Sequence, residues 1–291
     1  MSEVRHITVH LNDSLQSSAV LTIAVAVADA LDAPITPVYA VDPPELGAFV
    51  TPEGAALANA ASQHDVKARR DEAARRCANL LQSRAMEVEL GEALAALEQR
   101  SRTTDLLVVA QPFDDEPTGH AAGLTEKLAV ASACPVLVVP RAMRGREGAV
   151  PSAGRRVLVA WAGSRECARA MHDALPILQR AAAVRLLHIG AESPRIAADQ
   201  SATEVHLRRH GVAAKWCTAA PAAESTEALL QRTSPEVDES VTQTLLRHAV
   251  EHDIDLLVMG AYSRPRALEW MLGGVTRSMM REMCLPVLMS H

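Results

Sequence analysis

The sequence predicts an α/β protein of two repeated domains, each a five-stranded parallel sheet with helices on both faces. Three observations lead there. The chain has 291 residues, 48% of them hydrophobic but only 2% aromatic, so its cores must be built from Ala, Val, Leu, Ile and Met, a composition suited to helices layered on a sheet. Short apolar runs alternate with amphipathic stretches along the chain, which implies parallel strands joined by right-handed helical crossovers. Finally, blocks recur at one fixed offset of 150 positions: Ile7–Ser14 matches Val157–Ser164, and Asp105–Ala110 matches Asp255–Gly260. One offset held across separated blocks indicates two copies of one domain. Gly123 and Gly273 keep it, and Cys134–Val138 matches Cys284–Leu288 with one residue inserted after the cysteine.

The elements follow in order. The first strands fit Ile7–Leu11 and Val157–Trp161, each leading through a serine-containing loop into a helix, Ser17–Leu31 and Arg165–Arg180. Ser14 and Ser164 are expected to cap those helices, and Pro176 should shorten or kink the second one. The second strands fit Ile35–Val41 and Val184–Ile189. A charged helix comes next, long in copy one (Asp65 to Arg84) and short in copy two (Ala202 to His210). The third strands fit Met86–Leu90 and Ala213–Cys217. In copy two the third helix is marked by Val241, Leu245, Ala249 and His252 on one face. The fourth strands, Leu106–Ala110 and Leu256–Gly260, then lead through a loop and helix to fifth strands at Val136–Val139 and Val287–Met289, expected at sheet edges. Arg141 to Arg155 lacks periodicity and reads as a linker. The division is residues 1–142, a linker at 143–155, and 156–291.

Composition narrows the function. Net charge is −6 and pI about 6.0, which favours neither nucleic acid nor anionic lipid. The longest apolar stretch, Ala19 to Leu31, is too short for a membrane span and contains Asp29. The N-terminus lacks a signal peptide's apolar run. Five dispersed cysteines without CxxC spacing suit a reducing cytoplasm. The expectation is a cytoplasmic protein with no nucleic-acid or membrane partner. No GxSxG or GxxxxGK[ST] occurs, which disfavours a serine hydrolase or a P-loop ATPase. His206/His210 and His248/His252, each at i, i+4, have the spacing of a metal pair, but neither brings an evident third ligand, so no metal site is assigned.

The stretch Asp255 to Ser290 carries the strongest signal. A buried strand ends at Gly260, a polar loop holds Ser263, Arg264, Pro265 and Arg266, and Gly273-Gly274-Val275-Thr276 opens a helix. Strand, glycine-bearing loop and helix N-terminus are a phosphate-holding arrangement, because backbone N–H groups and the helix dipole converge there. Here the sequence resembles the universal stress protein family, in its tandem two-domain form. The family signature is Gly, two residues, Gly, nine residues, then Gly followed by Ser or Thr. This chain has Gly260, Ser263 and Gly273-Gly274 at that spacing, with Ser263 replacing the middle glycine and Gly274 the hydroxyl residue.

The resemblance implies an adenine-nucleotide-binding sheet of the alpha-hydrolase type, with ATP in copy two, accompanied by Mg. The glycine loop (Gly260, Ser263, Gly273, Gly274, Val275, Thr276) would hold phosphate, aided by Arg264 or Arg266. A family Asp after the first strand, and backbone on the second strand, hold ribose and adenine; they correspond to Ala162 and Ile189 in copy two, and to Asn12 and Ala40 in copy one. Copy one has Ala110, Phe113, Gly123 and Leu124 at the signature positions, with Asp114, Asp115 and Glu116 in the loop. Three carboxylates there would repel polyphosphate, so it is expected to be a structural partner. The resulting reading is a stress-response binding or signalling module without committed catalysis. Its domains pair with each other through their fifth strands, as the resemblance implies, and the chain forms a homodimer or engages another protein. The alternatives are a nucleotide-independent scaffold and a slow ATP hydrolase.

Overall fold

The computed structural model describes residues 3–12, 14–41, 64–75, 77–81, 86–90, 92–112, 123–143, 152–221, 235–261 and 274–291. The first half contains β1 (Ile7–Leu11), α1 (Ser17–Leu31), β2 (Ile35–Val41), α2 (64–75), α3 (Ala78–Leu81), β3 (Glu87–Leu90), α4 (Ala93–Ser101), β4 (Leu106–Ala110), α5 (Leu124–Ala131) and β5 (Val136–Val139). A short 3-10 turn, Arg141–Met143, follows. The second half contains β6 (Arg156–Trp161), α6 (Arg165–Asp173), α7 (Leu175–Leu178), β7 (Ala183–Ile189), α8 (Pro194–Arg209) and β8 (Ala214–Ala219). It ends with α9 (Pro235–Glu251), β9 (Leu256–Gly260), α10 (Gly274–Glu282) and β10 (Val287–Ser290).

The strands form one ten-stranded sheet in the order β3-β2-β1-β4-β5-β10-β9-β6-β7-β8. Each half is parallel, and the halves mirror each other. They meet where β10 runs antiparallel to β5, with Val287 opposite Val138, Leu288 opposite Leu137 and Met289 opposite Val136. Each fifth strand is the edge of its own half, as expected, and their pairing places both at the centre of the joined sheet. Its true edges are β3 and β8, which carry Glu87, Glu89 and Lys215; charge on an edge strand discourages pairing with another chain. Arg100 from α4 pairs with both Glu87 and Glu89.

Two apolar layers cover the sheet, and each crosses both halves. One joins Ile7, Val9, Val20 and Ile23 to Val157, Val159, Met171 and Leu207; the other joins Leu97, Leu107 and Leu128 to Leu257, Met279 and Val287. Strands buried on both faces read as continuous apolar runs, which is how LLVV and LLVM appear in the sequence.

Some boundaries differ from expectation, each for a local reason. The predicted helix Arg165–Arg180 breaks at Ala174, as expected from Pro176, which lies in the first turn of the second piece, where a missing N–H costs nothing. The expected Asp65–Arg84 helix is interrupted by a turn at Cys77 ahead of Ala78–Leu81. The "short" helix Ala202–His210 in fact starts at Pro194, because Ser193 caps it by accepting from the Ile196 N–H at 3.3 Å. Ser164 likewise caps α6 through the Cys167 N–H. Ser14 does not cap α1: the Asn12 carboxamide oxygen accepts from the Ser14 N–H at 3.0 Å and from the Ser17 hydroxyl at 3.2 Å, and Ser17 takes over the local turn.

Two side-chain devices hold this frame. At the same place in each half, an aspartate anchors the first strand. Asp105 accepts from the N–H groups of Arg5 and His6 at 2.7 and 2.9 Å, and Asp255 accepts from those of Gly154, Arg155 and Arg156 at 2.8 to 3.2 Å. The second device crosses the halves. Buried Gln111 donates to the Met280 carbonyl at 2.7 Å and accepts from the Arg141 N–H at 2.7 Å, tying β4 of one half to α10 of the other.

Removing these groups strands buried partners. Gln111→Leu should lower unfolding free energy by about 1–3 kcal/mol, read by urea denaturation, and Asp255→Ala should cost about as much. Neutral effects for both would mean that the sheet alone holds the halves. A histidine cluster adds a pH dependence: the His206 ring lies 4.7 Å from His172 and 4.6 Å from His210, centroid to centroid. Burial, then the His172 and His210 charges, hold the His206 imidazole below its ordinary value. The native chain therefore binds this proton less readily than the unfolded one. Stability should fall as pH drops below about 6.5, and His206→Gln should flatten that decline in pH-dependent urea melts.

Candidate functional site

The candidate site lies where the sheet order reverses. In the second half β6 sits between β9 and β7, and the helices that follow β6 and β9 cover opposite faces: Cys167 and Ala170 of α6 join one core, Met279 and Met280 of α10 the other. Adjacent parallel strands whose helices diverge leave a crevice at their C-terminal ends, the usual ligand position in open α/β sheets. The β6–α6 turn, the end of β7 and the start of α10 all reach this edge.

The predicted residues fall into three groups. Ser263, Arg264, Arg266 and Gly273 lie outside the described residues, as do Phe113, Asp114, Asp115 and Glu116 of the first half. Gly274 and Val275, both half-buried, form the first turn of α10, whose opening N–H groups have no intrahelical partner. Thr276 is buried, 3% exposed, so its side chain faces the core. Gly260 has its own structural role. A Cβ there would lie 2.6 Å from the Cys167 nitrogen and 2.6 Å from the Glu166 carbonyl carbon. Glycine at 260 thus lets β9 press against the N-terminus of α6.

Ala162 is exposed at the end of β6 and supplies no carboxylate. One comes from elsewhere. Gly163 adopts φ +66°, and a Cβ on it would sit 2.9 Å from Asp199 Oδ2. Asp199 projects from α8 over the β6–α6 turn, beside the position where the sequence lacks an acid. Sequence reasoning missed it because it lies 37 positions from Ala162 on a helix whose start was misplaced. Ile189 ends β7 opposite Ala219, and the next N–H, from Gly190, donates to the Ala219 carbonyl at 3.0 Å.

Aromatic groups also gather near this end. Trp161 of β6 and Trp216 of β8 meet edge-to-face at 6.4 Å. Both indole N–H groups are buried without a hydrogen-bond partner. His188, one strand over, donates through Nδ1 to the Trp161 carbonyl at 3.2 Å.

The first half has closed the equivalent positions. The Ala40 carbonyl accepts from His10 Nε2 at 3.3 Å, and the Asn12 side chain is engaged by Ser14 and Ser17. Thr125 Oγ1 donates to the Ala110 carbonyl at 2.8 Å, tying the start of α5 to the end of β4. Among the described residues, these positions are thus engaged within the half itself.

Other features contribute less to this site. A cleft of about 680 Å³ between the halves is lined by Val25, Asp29, Ile177 and Arg180, among others; it opens at the opposite, N-terminal ends of the strands. The five cysteines are free thiols, and burial pushes the Cys134 thiol up to about 11, which makes it a poor nucleophile. The histidine pairs do find a third member, contrary to expectation: His172 joins His206 and His210, and Glu251 joins His248 and His252. No helix among the described residues is long and apolar enough to cross a membrane.

Comparison with known proteins agrees with this architecture. No curated protein matches the chain. A universal stress protein structure from Archaeoglobus fulgidus superposes with a TM-score of 0.68 at 15% identity, covering 98% of this chain and 95% of its own. A candidate universal stress protein from Pseudomonas aeruginosa gives 0.53 at 18% identity, covering 99% and 93%. A functionally unknown protein from the same species gives 0.52 at 17%, covering 99% and 92%. At these identities the likeness concerns the fold. Residues 154–291 match the Universal stress protein family itself. Residues 154–291 thus form a universal stress protein family domain, and the first half repeats the same fold.

Proposed function

We propose that the chain is a stress-response binding and signalling module that takes ATP, with Mg2+, in the crevice between β6 and β9 of its second half. The observation that carries this reading is Asp199 over the Gly163 turn. A carboxylate at the end of the first strand of the domain can accept hydrogen bonds from ribose hydroxyls, the role for which residue 162 has no side chain. The N–H groups opening α10 at Gly274 and Val275 are suited to phosphate. With the first half closed, one nucleotide per chain is expected. Binding would act by population shift, altering the surface offered to a protein partner. We assign no catalytic residue.

The exposed Ala162 favours a second reading, a scaffold that works without nucleotide. Since β5 and β10 saturate each other, a second copy or a partner would attach through another surface in either case.

Calorimetric titration with Mg·ATP separates the two readings. The wild-type chain should show one site, and Asp199→Ala should weaken it about tenfold, the loss expected for one charge-assisted hydrogen bond. No heat from the wild type at millimolar ATP would favour the scaffold. Binding that ignores Asp199→Ala would remove the role given to that carboxylate.

A further inference from the structure

We infer that His248, Glu251 and His252 form a binding site for a divalent transition metal of the Zn2+, Ni2+ and Cu2+ class, at the C-terminal end of α9. Their donor atoms lie within 4.8 Å of one another, and this is the one such triplet among the described residues. Donors around a tetrahedral ion with bonds of about 2.0–2.2 Å stand roughly 3.3 Å apart. Side-chain adjustments on the order of 1 Å therefore close the site without moving backbone.

The spacing explains the convergence. Residues at i, i+3 and i+4 share one helical face, and the two imidazole rings already stand 4.3 Å apart at 71°. The His172–His206–His210 group brings rings equally close but no such set of converging donors. A second observation points to a ligand: His248 Nε2 is buried and has no hydrogen-bond partner, an arrangement native structures generally avoid. Glu251 can turn toward an ion at little expense, because its contact with Arg247 is long, 3.9 Å, and both side chains are more than half exposed.

The surroundings work in both directions. Carbonyls at a helix C-terminus carry partial negative charge that favours a cation. Arg156, Arg185 and Arg247 oppose it, but Arg156 is engaged, donating through Nε to the His252 carbonyl at 2.9 Å and fixing that residue. The donor set decides the class of metal. Two imidazoles and one carboxylate suit Zn2+, Ni2+ or Cu2+ and do not suit Mg2+ or Ca2+, which take oxygen ligands. Glu251 is solvent-exposed, so water completes the coordination shell. The site precedes β9, while the nucleotide crevice follows it, about 17 Å away along a five-residue strand. It therefore stands independently of the ATP reading.

Equilibrium dialysis of the full chain against ZnCl2 tests the assignment. One Zn2+ per chain is expected, His252→Gln should weaken binding about tenfold or more, and Glu251→Gln should weaken it less. The double variant His206→Gln/His210→Gln should bind as the wild type does. Zn2+ should also raise the melting temperature of the wild type and leave that of His252→Gln unchanged. Three results would each overturn the assignment: no binding by the wild type at roughly 0.1 mM free ion, binding indifferent to both His252→Gln and Glu251→Gln, or binding lost only in the double variant.

Discussion

The antiparallel contact between β5 and β10 is the constraint on which the rest of the molecule depends. Every other strand pair in the sheet is parallel, so this seam alone reverses direction. Without it, each half would expose an edge of apolar residues, Val136–Val139 or Val287–Met289, all of them buried here. Unpaired apolar edges recruit other chains. Joining them within one molecule leaves only the charged strands β3 and β8 at the rims. It also lets both helical layers run across the seam as continuous cores. Gln111 extends the seam beyond the strands, since its amide reaches the last turn of α10 while its oxygen holds the start of the segment leaving β5.

Much of this frame was legible in the sequence, and for definite reasons. Buried strands leave apolar runs of four or five residues, and the repeat doubles each signal, so Leu106–Ala110 and Leu256–Gly260 support one another. The 150-residue offset even paired Asp105 with Asp255 before either had a role. What that reading did not reveal was their work: both accept backbone N–H groups at the start of the neighbouring strand. Helix boundaries were less legible. Ser14 and Ser164 occupy equivalent positions, yet only Ser164 caps, because Asn12 captures the turn in the first half and Ala162 cannot do so in the second.

The site was legible only where its residues are close in sequence. The run from Gly260 to Thr276 identifies the family through spacing, and its two ends behave differently once folded. Gly260 is explained by the close approach of α6, and Thr276 faces the core. Asp199, Trp216 and His188 reach the same end of the sheet from elements distant in sequence, and spacing gives no warning of such convergence. The His248, Glu251 and His252 triplet is the reverse case. Its i, i+3, i+4 spacing was visible throughout, but whether three side chains share an environment depends on what the helix packs against.

The two halves have the same topology, yet their exposed chemistry has separated. In the first half, His10, Ser17 and Thr125 turn inward to satisfy Ala40, Asn12 and Ala110. Those hydrogen bonds tie the ends of β1, β2 and β4 to their neighbours within the half. In the second half, the equivalent turn has an exposed alanine and a positive-φ glycine, and Asp199 lies across it. Two indole N–H groups nearby remain buried and unpartnered, a standing cost of about 1–3 kcal/mol for each such group. The two halves thus differ most at the ends of their first strands, where local hydrogen bonds hold the turn in one and Gly163 with Asp199 shapes it in the other.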